Sequence, residues 1–206
     1  MRRLVILSLL FLCSFANADQ TYQFPAFNAV KSEGVFDIVI TAGSAQSVVA
    51  TGSDAAIKKL SLSVVDGQLL ITSPDEKHGS IFSTTTKVTI TVPALRLFKG
   101  KGVSSVVLKN IDGDRIDIGY EGVGNLEASG KIKWLRLKAN GVGDVDTKKL
   151  LAENADVDFD GVGSVEMYAS NHLNVVAHGV GSVTYYGNPH SIDKSIDGIG
   201  GFSAGK

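Results

Sequence analysis

Apolar and polar residues alternate along most of this chain, in short runs that end at glycine, serine, aspartate or proline. A period of two is typical of β-strands, because successive side chains of a strand point to opposite faces. In the first half the pattern predicts five strands, over residues 35–41, 47–51, 60–64, 68–72 and 87–92. Asp66-Gly67 predicts a hairpin turn between the third strand and the fourth. Residues 53–60 begin with a capping serine and predict one short helix.

A glycine motif of the form Gly-Val-Gly repeats through the second half, from about residue 95 onward. Its first glycines are 20, 19, 20, 18 and 19 residues apart, and they are Gly102, Gly122, Gly141, Gly161, Gly179 and Gly198. A fixed period near 19 residues predicts a β-solenoid, in which each coil buries its apolar face against its neighbours. We therefore expect an all-β protein, with about five to six coils over residues 95–206. Residues 19–94 are expected to form a β-rich N-terminal portion that either continues the solenoid or is separate from it.

Each repeat also predicts which side chains face the interior. The residues six, four and two positions before the first glycine are apolar, as in Ile116, Ile118 and Tyr120, so we expect them inside. We expect the same of the aliphatic residue four positions after that glycine, such as Leu126. The residue directly after the first glycine is also expected inside; this group is Val103, Val123, Val142, Val162, Val180 and Ile199. The glycines are expected where the chain turns a corner, because glycine takes positive φ freely.

The outward positions carry most of the charges of the repeats. One predicted column of outward residues is Asp117, Arg136, Asp156, Asn174 and Asp193. A second column is Glu121, Asn140, Asp160, His178 and Asp197. Like charges directly opposed on neighbouring strands destabilise a sheet. A basic or neutral residue separates most of the acids in both columns, which supports the predicted register.

Aromatic residues form the first candidate site. Tyr168 and Tyr186 both stand seven residues after the first glycine of their repeat, so we expect them on adjacent coils. Tyr185 would lie beside them, and Trp134 at another corner. Exposed aromatic rings bind sugar rings, because their faces bury apolar area while the hydroxyl or the indole N–H still reaches water. The alternative is that these rings pack the edge of the solenoid.

The charged outer face forms the second candidate site. Asp117, Arg136 and Asp156 fall in one column on three consecutive coils, with Asp158 and Asp160 on the same strand as Asp156. Neighbouring acids with shifted pKa values are what a polysaccharide-active enzyme needs for general acid and base catalysis. The alternative is that this column only alternates charge between coils, as a solvated surface does.

The N-terminus predicts export. Arg2 and Arg3, an apolar run and the sequence Ala16-Asn17-Ala18 predict a signal peptide over residues 1–18. The apolar run is shorter than the roughly 20 residues that cross a bilayer, which disfavours the alternative of a membrane anchor. Cys13, the only cysteine, lies in this segment, so the exported chain would carry no disulfide. We expect a bacterial protein of the periplasm or the cell surface.

Charge and ligand patterns exclude several classes of function. Without Arg2 and Arg3 the chain has 18 basic and 21 acidic residues, whereas a nucleic-acid-binding protein carries a basic face. The repeat lacks the Gly-Gly-x-Gly-x-Asp period of calcium-binding arrays, and His172 and His190 lack a third ligand for zinc. We therefore expect no metal and no cofactor. Nor does the sequence contain a catalytic triad or a phosphate-binding loop.

Several segments in order resemble the head GIN domain family, whose members carry the label auto-transporter adhesin. The segments are residues 27–30, 34–40, 66–71 and 87–95 together with the Gly-Val-Gly repeats, and the resemblance covers about residues 25–203. It implies an exported β-solenoid without an established catalytic site. We therefore expect a non-enzymatic binding protein whose partner is a polysaccharide, a glycan or an envelope protein. The alternatives are the polysaccharide-active enzyme and a structural protein that self-associates through the ends of its solenoid.

Overall fold

The computed structural model describes residues 18–73 and 86–206. This part consists of strands with one short helix, so the predicted all-β class is confirmed. The elements are β1 Ala18–Tyr22, β2 Ala29–Ala42, β3 Ser47–Gly52, α1 Asp54–Lys59, β4 Ser61–Val65, β5 Gln68–Thr72, β6 Thr86–Val92, β7 Leu97–Val142, β8 Val145–Tyr186 and β9 Ser191–Ala204. Almost all of the predicted signal peptide, Cys13 included, lies outside the described residues. No helix within 18–73 or 86–206 is long and apolar enough to cross a membrane.

Local signals in the first half place the helix and five of the six strands; β1 was not predicted, and β2 begins six residues before the predicted strand. The Ser53 side chain accepts a hydrogen bond from the Ala56 amide at 3.3 Å and caps α1, as predicted. β4 and β5 form the predicted antiparallel hairpin. Asp66 and Gly67 both take positive φ, of 49° and 73°, which the tight two-residue turn requires.

One sheet joins the strands in the order β1-β3-β6-β2-β7-β8-β9, and β5 attaches the β4–β5 hairpin to β2. β2 lies at its centre because it pairs in parallel with β5, β6 and β7. The β2–β7 ladder runs from Ala29–Leu97 to Thr41–Lys109, so the N-terminal portion and the glycine repeats share a sheet. The division of the chain at residues 94 and 95 stays a prediction.

The first glycines of the repeats lie directly over one another. A methyl carbon placed on Gly141 would lie 2.9 Å from the carbonyl carbon of Gly122, and the same closeness links each first glycine from Gly102 to Gly198 with the one before it. Gly34 of β2 begins this stack, beneath Gly102. We call the stretch around each stacked glycine a row; there are seven rows. The winding of these rows into coils of about 19 residues stays a prediction.

The apolar residues before the first glycine form the core, as predicted. Ile116, Ile118 and Tyr120 are buried, and so are their counterparts in the next three rows. The aliphatic residues four positions after the first glycine, such as Leu126 and Val165, are buried too. This core runs through the first six rows as one cluster, and Ile192 and Phe202 of the seventh row pack against it partly buried.

The prediction that the residue directly after the first glycine faces inward is wrong. Val103, Val123, Val142, Val162 and Val180 are 46 to 50% exposed, and Ile199 is 76% exposed. The period of two continues through the corner, so that the two glycines of the motif take the inward positions and the valine between them points out. Val35 occupies the same place in β2 and is 55% exposed.

The predicted outer columns follow the observed register. Arg136 pairs with Asp156, Asn140 with Asp160, and His178 with Asp197. Further polar contacts link neighbouring rows: Lys138 reaches Asp158 at 3.0 Å, and Asn174 donates to Asp156 at 2.9 Å. Exposed pairs of this kind each contribute about 0.2–1 kcal/mol, so the columns set the register of the rows more than they stabilise them.

β9 is the edge of the sheet at the C-terminal end of the stack. A long exposed edge strand pairs readily with another chain unless a charge or a bulge prevents it. Lys194 provides such a charge, because it stands opposite the buried Val175 in a column that is otherwise apolar. Its ammonium lies 4.6 Å from the centre of the Phe202 ring and so covers the end of the core.

We expect Lys194→Val to make the protein associate through its β9 edges. The substitution removes the charge that opposes pairing and leaves an apolar residue over the end of the core. Light scattering after size-exclusion chromatography should show a dimer whose fraction increases with protein concentration. Ser195→Val is the matched control, because it adds the same side chain one residue further along the exposed strand. Equal association of both variants would contradict a guarding role for Lys194.

Candidate functional site

Seven exposed aliphatic side chains form one line along the stack of rows. We call this line the valine ridge; it consists of Val35, Val103, Val123, Val142, Val162, Val180 and Ile199. Its members are neighbours in the sheet: Val35 pairs with Val103, Val142 with Val162, and Val180 with Ile199. At a strand spacing of about 4.8 Å, seven rows give a line about 29 Å long.

Glycines flank the ridge residue in most rows. In five of the seven rows the valine or isoleucine lies between two glycines that carry no side chain. A side chain at those glycines would collide with the backbone of the row before, as at Gly143, where a methyl carbon would lie 2.8 Å from the Gly124 carbonyl carbon. The corner therefore presents a repeated apolar knob with bare backbone beside it. A contiguous exposed apolar patch of a few hundred Å² is often a functional surface.

A groove of about 590 Å³ lies beside the first four rows of the ridge. Its cationic lining residues are Lys31, Lys99, Lys101, Arg136 and Lys138, and its acidic ones are Glu33, Asp117 and Glu121. Gly119 lies beside Lys99 in the lining, since a methyl carbon on Gly119 would lie 3.3 Å from the Lys99 Cγ atom, and its missing side chain leaves room in the groove. We call this feature the basic groove. Its volume lies within the range of small-ligand sites, about 300–1,000 Å³.

Several of the groove's polar groups are paired, and some are not. Lys101 reaches Glu121 at 3.3 Å, and Asp117 pairs with Arg115 at 2.9 Å. The Tyr120 hydroxyl donates to the Ser104 carbonyl oxygen at 3.4 Å, and burial raises the pKa of this phenol, so it stays neutral. Among the described residues, Lys31, Lys99 and Arg136 have no ion-pair partner.

The predicted aromatic residues have different surroundings in the structure. Tyr185 stacks on Phe202, with ring centres 5.0 Å apart, and so packs against the C-terminal end of the core. The hydroxyl of Tyr186 donates to Glu166 at 3.2 Å, and Tyr168 is half-buried near Gly187. Trp134 is 49% exposed, in a part of β7 that pairs with Asn154.

Glu166 connects Tyr186 to a small charged cluster. Lys148 contacts both Asp146 and Glu166, and hydrogen bonds to these two carboxylates raise the pKa of Lys148 above its ordinary value. Burial raises the pKa of Tyr186 most, and the hydrogen bond to Glu166 raises it further. Tyr186 is therefore a neutral hydrogen-bond donor held by this cluster.

The five predicted charged residues lie on the outer face, but not at one point. Asp117 and Arg136 line the basic groove, whereas Asp156, Asp158 and Asp160 lie in the next row beyond it. Asn174 and Lys138 bind Asp156 and Asp158, respectively. Within residues 18–73 and 86–206, no three His, Cys, Asp or Glu side chains are placed to hold a metal ion.

Sequence reasoning missed both the valine ridge and the basic groove. The ridge has a clear signal, since the period of two counted through the glycines assigns each valine to the outside. The groove has a weaker signal: Lys31 and Lys99 each stand three residues before a Gly-Val pair, but only the β2–β7 pairing brings the two lysines together.

Residues 26–189 match the family described as "Putative auto-transporter adhesin, head GIN domain". The chain matches no curated protein.

Solved structures share the fold over nearly the whole chain. A "putative adhesin" from Bacteroides fragilis has a TM-score of 0.76 at 24% identity, covering 93% of this chain and 98% of its own. A "putative adhesin" from Parabacteroides merdae has a TM-score of 0.52 at 17% identity, covering 92% and 96%. A "putative lipid binding protein" from Parabacteroides distasonis has a TM-score of 0.50 at 17% identity, covering 92% and 97%. At these identities the likeness is evidence for the fold.

Proposed function

The chain belongs to the family of auto-transporter adhesin head GIN domains, and from this membership we propose that it is an exported, non-enzymatic protein that binds a polymer, a glycan or a protein. The family name and the names of the solved structures refer to adhesins and to a binding protein. The predicted signal peptide over residues 1–18 supports export to the periplasm or the cell surface.

We also propose that each row from residue 95 onward is one coil of a β-solenoid. Two observations support this winding: the first glycines stack from Gly102 to Gly198, and the parallel ladders of β7–β8 and β8–β9 pair residues 19 or 20 positions apart. A solenoid presents the same side-chain position once per coil, so it suits a ligand that is extended or repetitive.

The valine ridge carries the proposal. All seven rows present an aliphatic side chain of which about half or more faces water, and a partner that covered this surface would gain the free energy of its burial. The ridge is too narrow for a stable homodimer, because a strip about 29 Å by 10 Å falls well below the roughly 800 Å² per partner of standard interfaces. It fits better against an extended partner that touches it along its whole length.

The triple variant Val123→Thr, Val142→Thr and Val162→Thr should weaken binding without changing the fold. Threonine keeps the shape and the β-propensity of valine but adds a hydroxyl to each knob. Burying a half-exposed valine is worth about 0.8 kcal/mol, so three changes should cost about 2 kcal/mol or about 30-fold in affinity. The measurement is co-sedimentation with insoluble envelope fractions and with a panel of polysaccharides, scoring both retention and cleavage.

Val65→Thr is the control for this experiment. Val65 lies in β4, is 52% exposed and is not part of the ridge. The Val65→Thr variant should be retained on the envelope fractions as fully as the unaltered protein. Equal retention of the ridge variant and the control would refute the role of the ridge, and cleavage of any polysaccharide would favour the alternative that the charged column is catalytic.

A further inference from the structure

We propose that the basic groove binds an acidic polysaccharide whose sugar units carry carboxylates. This inference rests on the proposed function, since it names the ligand class of one part of the binding surface. The groove and the ridge are adjacent, so one extended chain would contact both.

Two lysines in the groove stand in a costly arrangement. Lys31 and Lys99 are directly opposed across the β2–β7 ladder, and neither has an ion-pair partner among the described residues. Like charges opposed on neighbouring strands destabilise a sheet. Arg136, two rows further along, also lacks an ion-pair partner within residues 18–73 and 86–206. An anionic group between these cations would relieve the repulsion, and no acid of the described chain forms an ion pair with any of the three.

The other polar groups of the groove select among anions. Glu33 and Glu121 are exposed in the lining, and Asn140 lies beside them. Carboxylates and amides accept hydrogen bonds from sugar hydroxyls, but carboxylates repel the dense phosphates of nucleic acid or polyphosphate. A ligand that carries both hydroxyl donors and spaced carboxylates satisfies the whole lining, and a uronate polymer has this chemistry.

The charge of the outer face changes sign beyond the groove. The first four rows hold the five cations of the groove, whereas the fifth row presents Asp156, Asp158 and Asp160. An anionic chain is therefore attracted to the N-terminal rows and repelled from the fifth. This gradient confines the carboxylates of the ligand to the groove.

The test compares polygalacturonate with its fully methyl-esterified form, which has the same backbone without the charge. Isothermal titration calorimetry of the unaltered protein should show binding of the acid form only. The triple variant Lys31→Gln, Lys99→Gln and Arg136→Gln should bind it at least 10-fold more weakly. The variant Lys87→Gln, Lys131→Gln and Lys149→Gln changes the charge equally outside the groove and should remain within twofold of the unaltered protein.

Four results would overturn the inference: no binding of polygalacturonate, equal binding of the ester, equal losses in the two charge variants, or equally tight binding of inorganic polyphosphate or phosphatidylglycerol vesicles. The threonine variant of the ridge is titrated in parallel. If envelope retention depends on the ridge while polygalacturonate does not bind, the groove inference alone fails. If polygalacturonate binds through the groove and no partner requires the ridge, the proposed function of the ridge fails alone.

Discussion

Gly141→Ala should lower the free energy of unfolding by more than about 4 kcal/mol, a large share of the roughly 5–15 kcal/mol that stabilises an ordinary domain. The added methyl carbon would lie 2.9 Å from the carbonyl carbon of Gly122, and closer still to its oxygen. The carbonyl carbon and oxygen of Gly122 belong to the backbone inside the sheet. The methyl group can therefore be accommodated only if the two rows move apart and lose their hydrogen bonds. The φ of +138° at Gly141 adds strain for any residue with a Cβ atom.

Two other glycines divide this effect into its parts. Gly113 has a φ of +140°, but an added methyl carbon there would meet nothing within 4 Å, so Gly113→Ala should cost only the backbone strain, about 1–3 kcal/mol. Gly201 has open space and no positive φ in the strained range, so Gly201→Ala should be nearly neutral. Urea unfolding, monitored by circular dichroism, measures the change in the free energy of unfolding for all three variants. A cost at Gly141 no greater than at Gly113 would contradict the close contact between rows.

Most elements of the first half, though not β1, could be predicted from the sequence because their signals are local. A capping serine, an Asp-Gly turn and alternating β-branched residues act within a few positions of one another. The core positions of the repeats could be predicted equally well, since a strand with a period of two has only two faces. The glycine spacing also indicated which rows lie next to each other, and Arg136–Asp156 and Asn140–Asp160 pair as predicted.

The candidate sites were harder to predict, for two physical reasons. The groove depends on Lys31 lying beside Lys99, and this contact joins strands that are far apart in the chain. The ridge was assigned to the interior because aliphatic residues are expected to be buried, although apolar atoms also contribute much of a folded protein's surface. Hydropathy and periodicity disagreed at the position between the glycines, and periodicity gave the correct side.

Val165→Asp and Val162→Asp test that assignment in one row. The two valines are three residues apart in the same repeat, but Val165 is fully buried and Val162 is 48% exposed. A carboxylate at residue 165 would enter the apolar core without a partner, which should cost about 4 kcal/mol or more. At residue 162 it would remain in water, and only the weaker β-propensity of aspartate, about 1 kcal/mol at most, should be lost.

The same pair distinguishes stability from binding. Val162→Asp should keep the unfolding midpoint close to that of the unaltered protein while reducing retention on envelope fractions, because it places a hydrated charge in the middle of the valine ridge. Val165→Asp should lower the unfolding midpoint sharply, and its binding should fall only as far as the folded fraction falls. Similar unfolding midpoints for the two variants would show that the corner does not separate an inner from an outer valine. A ridge that carries aspartate and still binds fully would leave the exposed valines without a role in recognition.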